Sequence, residues 1–139
     1  MANEPVRIAA MAAAVGFLLI AAFQVALALG APLGGAAWGG AHAEQLPMGL
    51  RIASGVAVAV WVLAAMVVLG RAGFRVVLLP YSVLRWGTWV LVVLLLVGAL
   101  MNMASSSGWE RYGWGPFALI LALLCLFVAL RAGPVSREN

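Results

Sequence analysis

The chain has no lysine and no aspartate, and one histidine and one cysteine in 139 residues. Each shortage removes a class of function. A single cysteine, Cys125, leaves no internal disulfide and no C-x-x-C for thiol redox chemistry. It lies inside the last apolar run, where it reads as a small hydrophobe. One histidine without aspartate or a second thiol makes no ordinary zinc or copper site, so neither metal nor cofactor is expected. There is no P-loop, no dinucleotide-binding glycine motif and no Ser/His/Asp set. Charge itself is scarce: 9% of residues, against about 25% in a soluble domain.

What fills the chain is hydrocarbon. Hydrophobic residues make up 66%, and the mean hydropathy is +1.13. A 14.5 kDa chain is one domain by length and exposes too much surface to hide this in a water-facing globule. Four apolar runs carry it. Ile8–Leu29 is interrupted by Gln24, and Ile52–Leu69 has Ser54 near its start. Trp86–Met101 has Thr88 near one end and Asn102 just past the other; Pro116–Leu130 is bounded by Arg131. A spanning helix needs roughly 20 such residues, so the last two runs draw on their flanks. A lone strand cannot satisfy its backbone in lipid.

The expectation is an all-α integral membrane bundle of four transmembrane helices, one domain, with helices at about 6–30, 49–70, 83–103 and 115–131. Loops 31–48 and 104–114 lie on one side, and segment 71–82 on the other. The first run is longer than the roughly 7–15 residues of a signal-peptide core, although Ala26-Leu27-Ala28 has the small residues of a cleavage site.

Arginine orients the helices. With alternating spans, Arg7, Arg71, Arg75, Arg85, Arg131 and Arg137 fall on one side, and Arg51 and Arg111 on the other. The positive-inside rule places both termini in the cytoplasm and the two loops outside. The basic charge therefore reports topology in a cell membrane: the partner is the lipid bilayer, not nucleic acid. Trp86 and Trp89 at the inner end, and Trp109, Tyr112 and Trp114 at the outer, read as interface anchors. Arg85 snorkels to the inner headgroups.

Small residues suggest which helices pair. Helix 1 is alanine-rich, and helix 2 carries Gly55 and Ala59 four apart, so these two are expected to pack tightly. The Val90–Val97 run is expected to face lipid or, alternatively, another subunit. Arg71–Arg85, with Phe74, Val76, Val77, Leu78, Leu79 and Tyr81 around Pro80, reads either as an interfacial amphipathic piece or as an early start of helix 3 kinked at the proline.

The outer loops hold the chemistry. Gly30, Gly34, Gly35, Gly39 and Gly40 free the backbone of the first, and Trp38 in their midst favours a loop packed down on the bundle. In the second, Pro116 suits the first turn of helix 4. Two readings stay open. In one, Glu110 pairs with Arg51 and Arg111 with Glu44, stapling the loops together. In the other, Gln24, Trp38, His42, Glu44, Arg51, Ser54, Asn102, Glu110 and Arg111 bind a ligand in one outward-facing pocket.

The string from Gly30-Ala31-Pro32-Leu33-Gly34 through Trp38-Gly39-Gly40 to Leu46-Pro47 and Arg51, with Trp114-Gly115-Pro116 later, resembles a family of small four-helix bacterial membrane proteins of no assigned activity. The resemblance covers most of the chain and implies a fold, not a reaction. Small multidrug transporters are similar in length, but helix 1 here lacks their membrane-embedded glutamate. Fluoride channels are similar in size, yet their arginine-bearing glycine motif is absent.

Three functions follow in order. A non-enzymatic accessory or binding protein with an outward-facing site fits the few intramembrane polar groups, docking a protein partner or a second copy of itself. A small-solute transporter or channel working as an oligomer needs a polar stripe that Gln24, Ser54, Thr88 and Asn102 barely begin. A membrane enzyme acting on a lipid or quinone at the outer surface would use Glu110 or His42 as acid or base.

Overall fold

The computed structural model describes residues 3–76 and 78–133. Val77 and Arg137, both used above, lie outside the described residues. The chain is all-α, with four helices long and apolar enough to span a membrane. They are α1 (Glu4–Ala28), α2 (Met48–Arg71), α3 (Tyr81–Ala104) and α4 (Gly115–Arg131). They run up and down, so one end of the bundle holds the connections around residues 29–47 and 105–109. We call this the loop end, and the opposite end the terminal end.

Local chemistry sets the ends of the helices. Asn3 caps α1, its Oδ1 accepting from Val6 N–H at 3.3 Å, with Glu4 and Pro5 in the first turn. Pro80 precedes α3 and has no N–H to lose there. Among the described residues the connection from α2 to α3 has turns and no helix, and α3 begins at Tyr81, directly after Pro80, without an earlier start kinked at the proline. Phe74 and Leu79 tuck against the core, while Leu78 is 97% exposed.

The fourth helix departs furthest from expectation. The loop assigned to 104–114 is helical from Gly108 onward, and Glu110–Trp114 form a π-helical turn that runs straight into α4. Pro116 explains the wide turn. An interior proline clashes with the carbonyl four residues earlier and donates nothing to it. Widening the turn lets Gly115 N–H reach back to Glu110 C=O instead.

The core is made of small side chains, as close helix approach requires. Ala10, Ala13, Phe17, Val68, Leu95 and Cys125 are among its most buried members. The pairing of α1 with α2 does not use Gly55 and Ala59, which are exposed. Helix α2 turns Ala64, Ala65 and Val68 inward, one turn and more beyond them. Helix α3 packs on α4 and has Leu91, Leu95 and Ala99 among its buried residues, while Val90, Val93 and Val97 face outward.

Arg71 closes the terminal end. Buried at the last turn of α2, its guanidinium donates to Gly133 C=O at 3.0 Å and to Ala132 C=O. These carbonyls lie just past the C-terminus of α4, where a cation is favourable through both hydrogen bonding and the helix dipole. Arg7 lies over the Phe74 ring at 4.0 Å, holding the start of α1 to the same end.

Candidate functional site

Ser107 and Glu110 have the S-x-x-E spacing of a capping box, and the helix begins there. Ser107 Oγ accepts from Glu110 N–H at 3.4 Å. In an ordinary box the glutamate side chain returns to the capping residue's own N–H. Here that N–H is taken by Ser105 Oγ at 3.1 Å, which frees the carboxylate. Glu110 reaches across to the first loop instead. Its Oε1 accepts from Gly39 N–H at 3.0 Å and its Oε2 from the Ser105 hydroxyl. The carboxylate is buried without an arginine beside it, stabilised by charge-assisted hydrogen bonds in the first turn of a helix.

The glycine loop is thereby strapped down at four points. Besides Gly39, the Ser107 hydroxyl donates to Gly35 C=O at 2.8 Å and Trp114 Nε1 to Ala36 C=O at 3.0 Å. Trp38 Nε1 donates to Ser54 Oγ at 3.1 Å, pinning the loop to α2. The strap has a conformational cost. Trp38 has φ +52°, the left-handed region, worth about 1–3 kcal/mol of strain. Gly40 has φ +71°, and a Cβ there would lie 2.8 Å from Ser107 Cβ. No residue but glycine fits that crossing. Leu27, Ala37 and Leu46 form a small apolar cluster underneath.

Below the strap lies a cavity of about 730 Å³ between the α1–α2 and α3–α4 pairs. Gln24, Trp38, Asn102 and Glu110 all line it. Its other walls are largely apolar: Ile20, Phe23, Trp61, Leu95, Trp114 and Phe117 among them. Gln24 Oε1 is buried and has no hydrogen-bond partner. Toward the terminal end, Leu95 and Trp61 close the cavity, with Trp61 stacked on Phe17 at 5.6 Å between ring centres. A second cavity of about 640 Å³ lies across an aromatic wall that both share. Trp114 is its centre, 4.9 Å from Phe23 and 5.8 Å from Phe117.

The remaining five expected site residues do not line either cavity. Ser54 stands behind Trp38 and holds it. Arg51 donates to Ala28 C=O at 3.1 Å, drawn to the carbonyl end of α1, where a cation is favoured. His42, Glu44 and Arg111 are exposed. The staple therefore exists, but not as the pairs Glu110–Arg51 and Arg111–Glu44. Glu110 and Arg51 have backbone partners instead, and Glu44 and Arg111 are exposed. Trp114, expected as an interface anchor, is half-buried and builds the cavity wall.

The residues missed in the sequence are mostly backbone donors and acceptors: Gly35, Ala36 and Gly39. Ser105, Ser107, Trp61 and Phe117 were missed as side chains, and of these the S-x-x-E spacing could have exposed Ser107. Gly115 was a further signal. A Cβ there would sit 2.8 Å from Met103 Cγ, so this glycine lets α3 and the π-turn approach closely. Among the described residues no three His, Cys, Asp or Glu side chains come together as a metal site would require.

No family model, curated protein or solved structure matches this chain. The chemistry of the cavity is the guide to function.

Proposed function

We propose that this is a multi-pass protein of the cytoplasmic membrane, both termini inside, that binds a small molecule beneath its two outer loops without transforming it. The arginine distribution supports the orientation. Arg7, Arg71, Arg75, Arg85 and Arg131 belong to the terminal end, and Arg51 and Arg111 to the loop end.

The observation that carries the binding reading is a roofed cavity lined by two carboxamide residues, Gln24 and Asn102, in otherwise largely apolar walls. A few polar groups in an apolar pocket of this size are what a small-molecule site provides. A through path is disfavoured by the apolar packing of Phe17, Trp61 and Leu95 below. Catalysis is disfavoured because the lining's one carboxylate, Glu110, has both oxygens engaged.

Native mass spectrometry of the protein released gently from membranes tests binding. A defined small molecule retained by the native chain and lost in Gln24→Leu supports the reading. A stable protein partner with no small molecule would replace it with an accessory-subunit role. Orientation is tested separately, since the native Cys125 is buried. Ser106→Cys is expected to react with an impermeant maleimide on intact cells, and Arg75→Cys only after permeabilisation. The reverse pattern would invert the topology.

A further inference from the structure

We infer that the cavity takes an uncharged amphiphile, a single-chain lipid-like molecule with a hydrogen-bonding head, and that it enters sideways from the bilayer between α2 and α3. This rests on the binding reading above and names its ligand class.

The lining selects against charge. No arginine or histidine faces the cavity, so an anionic head would be desolvated without a counter-ion. Glu110 is the nearest charge and would repel it. Nor does Glu110 offer a cation much, because both its oxygens are committed to Gly39 and Ser105. What the polar side offers is the carboxamides of Gln24 and Asn102, which both donate and accept, together with Ser105 and Ser106. Hydroxyl or amide heads pair with such groups without an ionic penalty.

The remainder of the space suits a chain. Trp61, Leu94, Leu95 and Phe117 line it away from the carboxamides. The volume, about 730 Å³, lies in the range of pockets that enclose drug-sized molecules.

The mouth indicates the source. Helices α2 and α3 touch toward the terminal end, where Gly87 lies against Val67. Nearer the loop end the cavity occupies the space between them, bordered by Leu50 and Trp61 on α2 and by Leu94, Gly98 and Met101 on α3. Met101 is 70% exposed and Leu94 44%, on the outward side of a helix long and apolar enough to span a bilayer. Acyl chains would border this opening. The strap covers the cavity above, from Gly35 to Gly40.

The test uses the full chain in neutral-lipid nanodiscs and three probes of one chain length, each brominated on the chain: a monoacylglycerol, an alkyl sulfonate and an alkyltrimethylammonium. Trp38, Trp61 and Trp114 line the cavity, so bromine bound there quenches their fluorescence. The monoacylglycerol is expected to quench saturably and to bind about tenfold or more tightly than either ion. Gln24→Leu should weaken it about tenfold with little effect on the ions. Gly98→Phe, placed where a Cβ meets open space, should slow its binding about tenfold by narrowing the mouth. Helical circular dichroism confirms that both variants fold.

Equal or tighter binding of a charged probe, or an unchanged affinity in Gln24→Leu, overturns the uncharged-head assignment and leaves the binding reading standing. An unchanged rate in Gly98→Phe overturns the lateral route. If no probe quenches while native mass spectrometry still finds a bound molecule, the ligand is not an amphiphile of this class. If both fail, the binding reading falls with the inference.

Discussion

The two ends of this bundle solve the same problem in different ways. At the terminal end, apolar side chains pack closely, and one buried cation, Arg71, takes up the Ala132 and Gly133 carbonyls just past α4. At the loop end the helices do not close on each other. A glycine strap covers the gap, held by Glu110, Ser107, Trp114 and Ser54, and a cavity remains under it. Close packing leaves nothing for a ligand. Hydrogen bonding at a distance holds a roof while keeping the space below it, which is why the site is placed at one end.

If that contrast is right, variants at the two ends should separate stability from binding. The largest effect is expected for Glu110→Ala. It strands the Gly39 N–H and the Ser105 hydroxyl, and each unsatisfied group costs about 1–3 kcal/mol. We expect a loss of about 3 kcal/mol in unfolding measured in nanodiscs, together with loss of the bound molecule. Glu110→Gln keeps one acceptor and should lose about half as much.

Arg71→Leu comes next, at about 2 kcal/mol, because it uncovers the Ala132 and Gly133 carbonyls. Ligand retention by the folded fraction should be unchanged. Were it to fall as far as in Glu110→Ala, the two ends would not be independent. Trp38→Phe removes the hydrogen bond to Ser54 but keeps a ring, and is expected to cost about 1 kcal/mol in the same unfolding assay. Smallest is Thr88→Val. Its hydroxyl bonds only to Leu84 C=O of its own helix at 2.8 Å, so thermal unfolding should move by less than about 0.5 kcal/mol. A large loss there would mean that the buried hydroxyl has a part in packing beyond its own helix.

The helices were legible because hydrophobic length is a property of a run, and no single residue can hide it. The helix pairing was legible only as a tendency. Small residues were abundant on helices 1 and 2, yet Gly55 and Ala59 face outward and Ala64 and Ala65 are the ones buried. Four-residue spacing gives a stripe, but not which side of the helix it lies on relative to the neighbour. At the site, Gln24, Trp38, Asn102 and Glu110 were visible as the rare polar or amphipathic groups in apolar surroundings. Their partners were not. Opposite charges suggest pairing in a sequence, whereas the N–H of Gly39 and the carbonyls of Gly35 and Ala36 carry no mark at all. The S-x-x-E box, which starts the last helix after Ser107, was there to be read but went unused, and so did the wide turn that goes with the proline behind it.

The strap itself is the point on which the account depends. Amide hydrogen exchange in nanodiscs reads it directly, comparing residues 36–40 with residues 88–95 in the native chain and in Glu110→Ala. The account predicts slow exchange of both segments in the native protein. In the variant, exchange of Gly39 should be fast while Leu91 and Leu95 keep their protection. Rapid exchange of Gly39 in the native protein, or no change on removing the carboxylate, would contradict it.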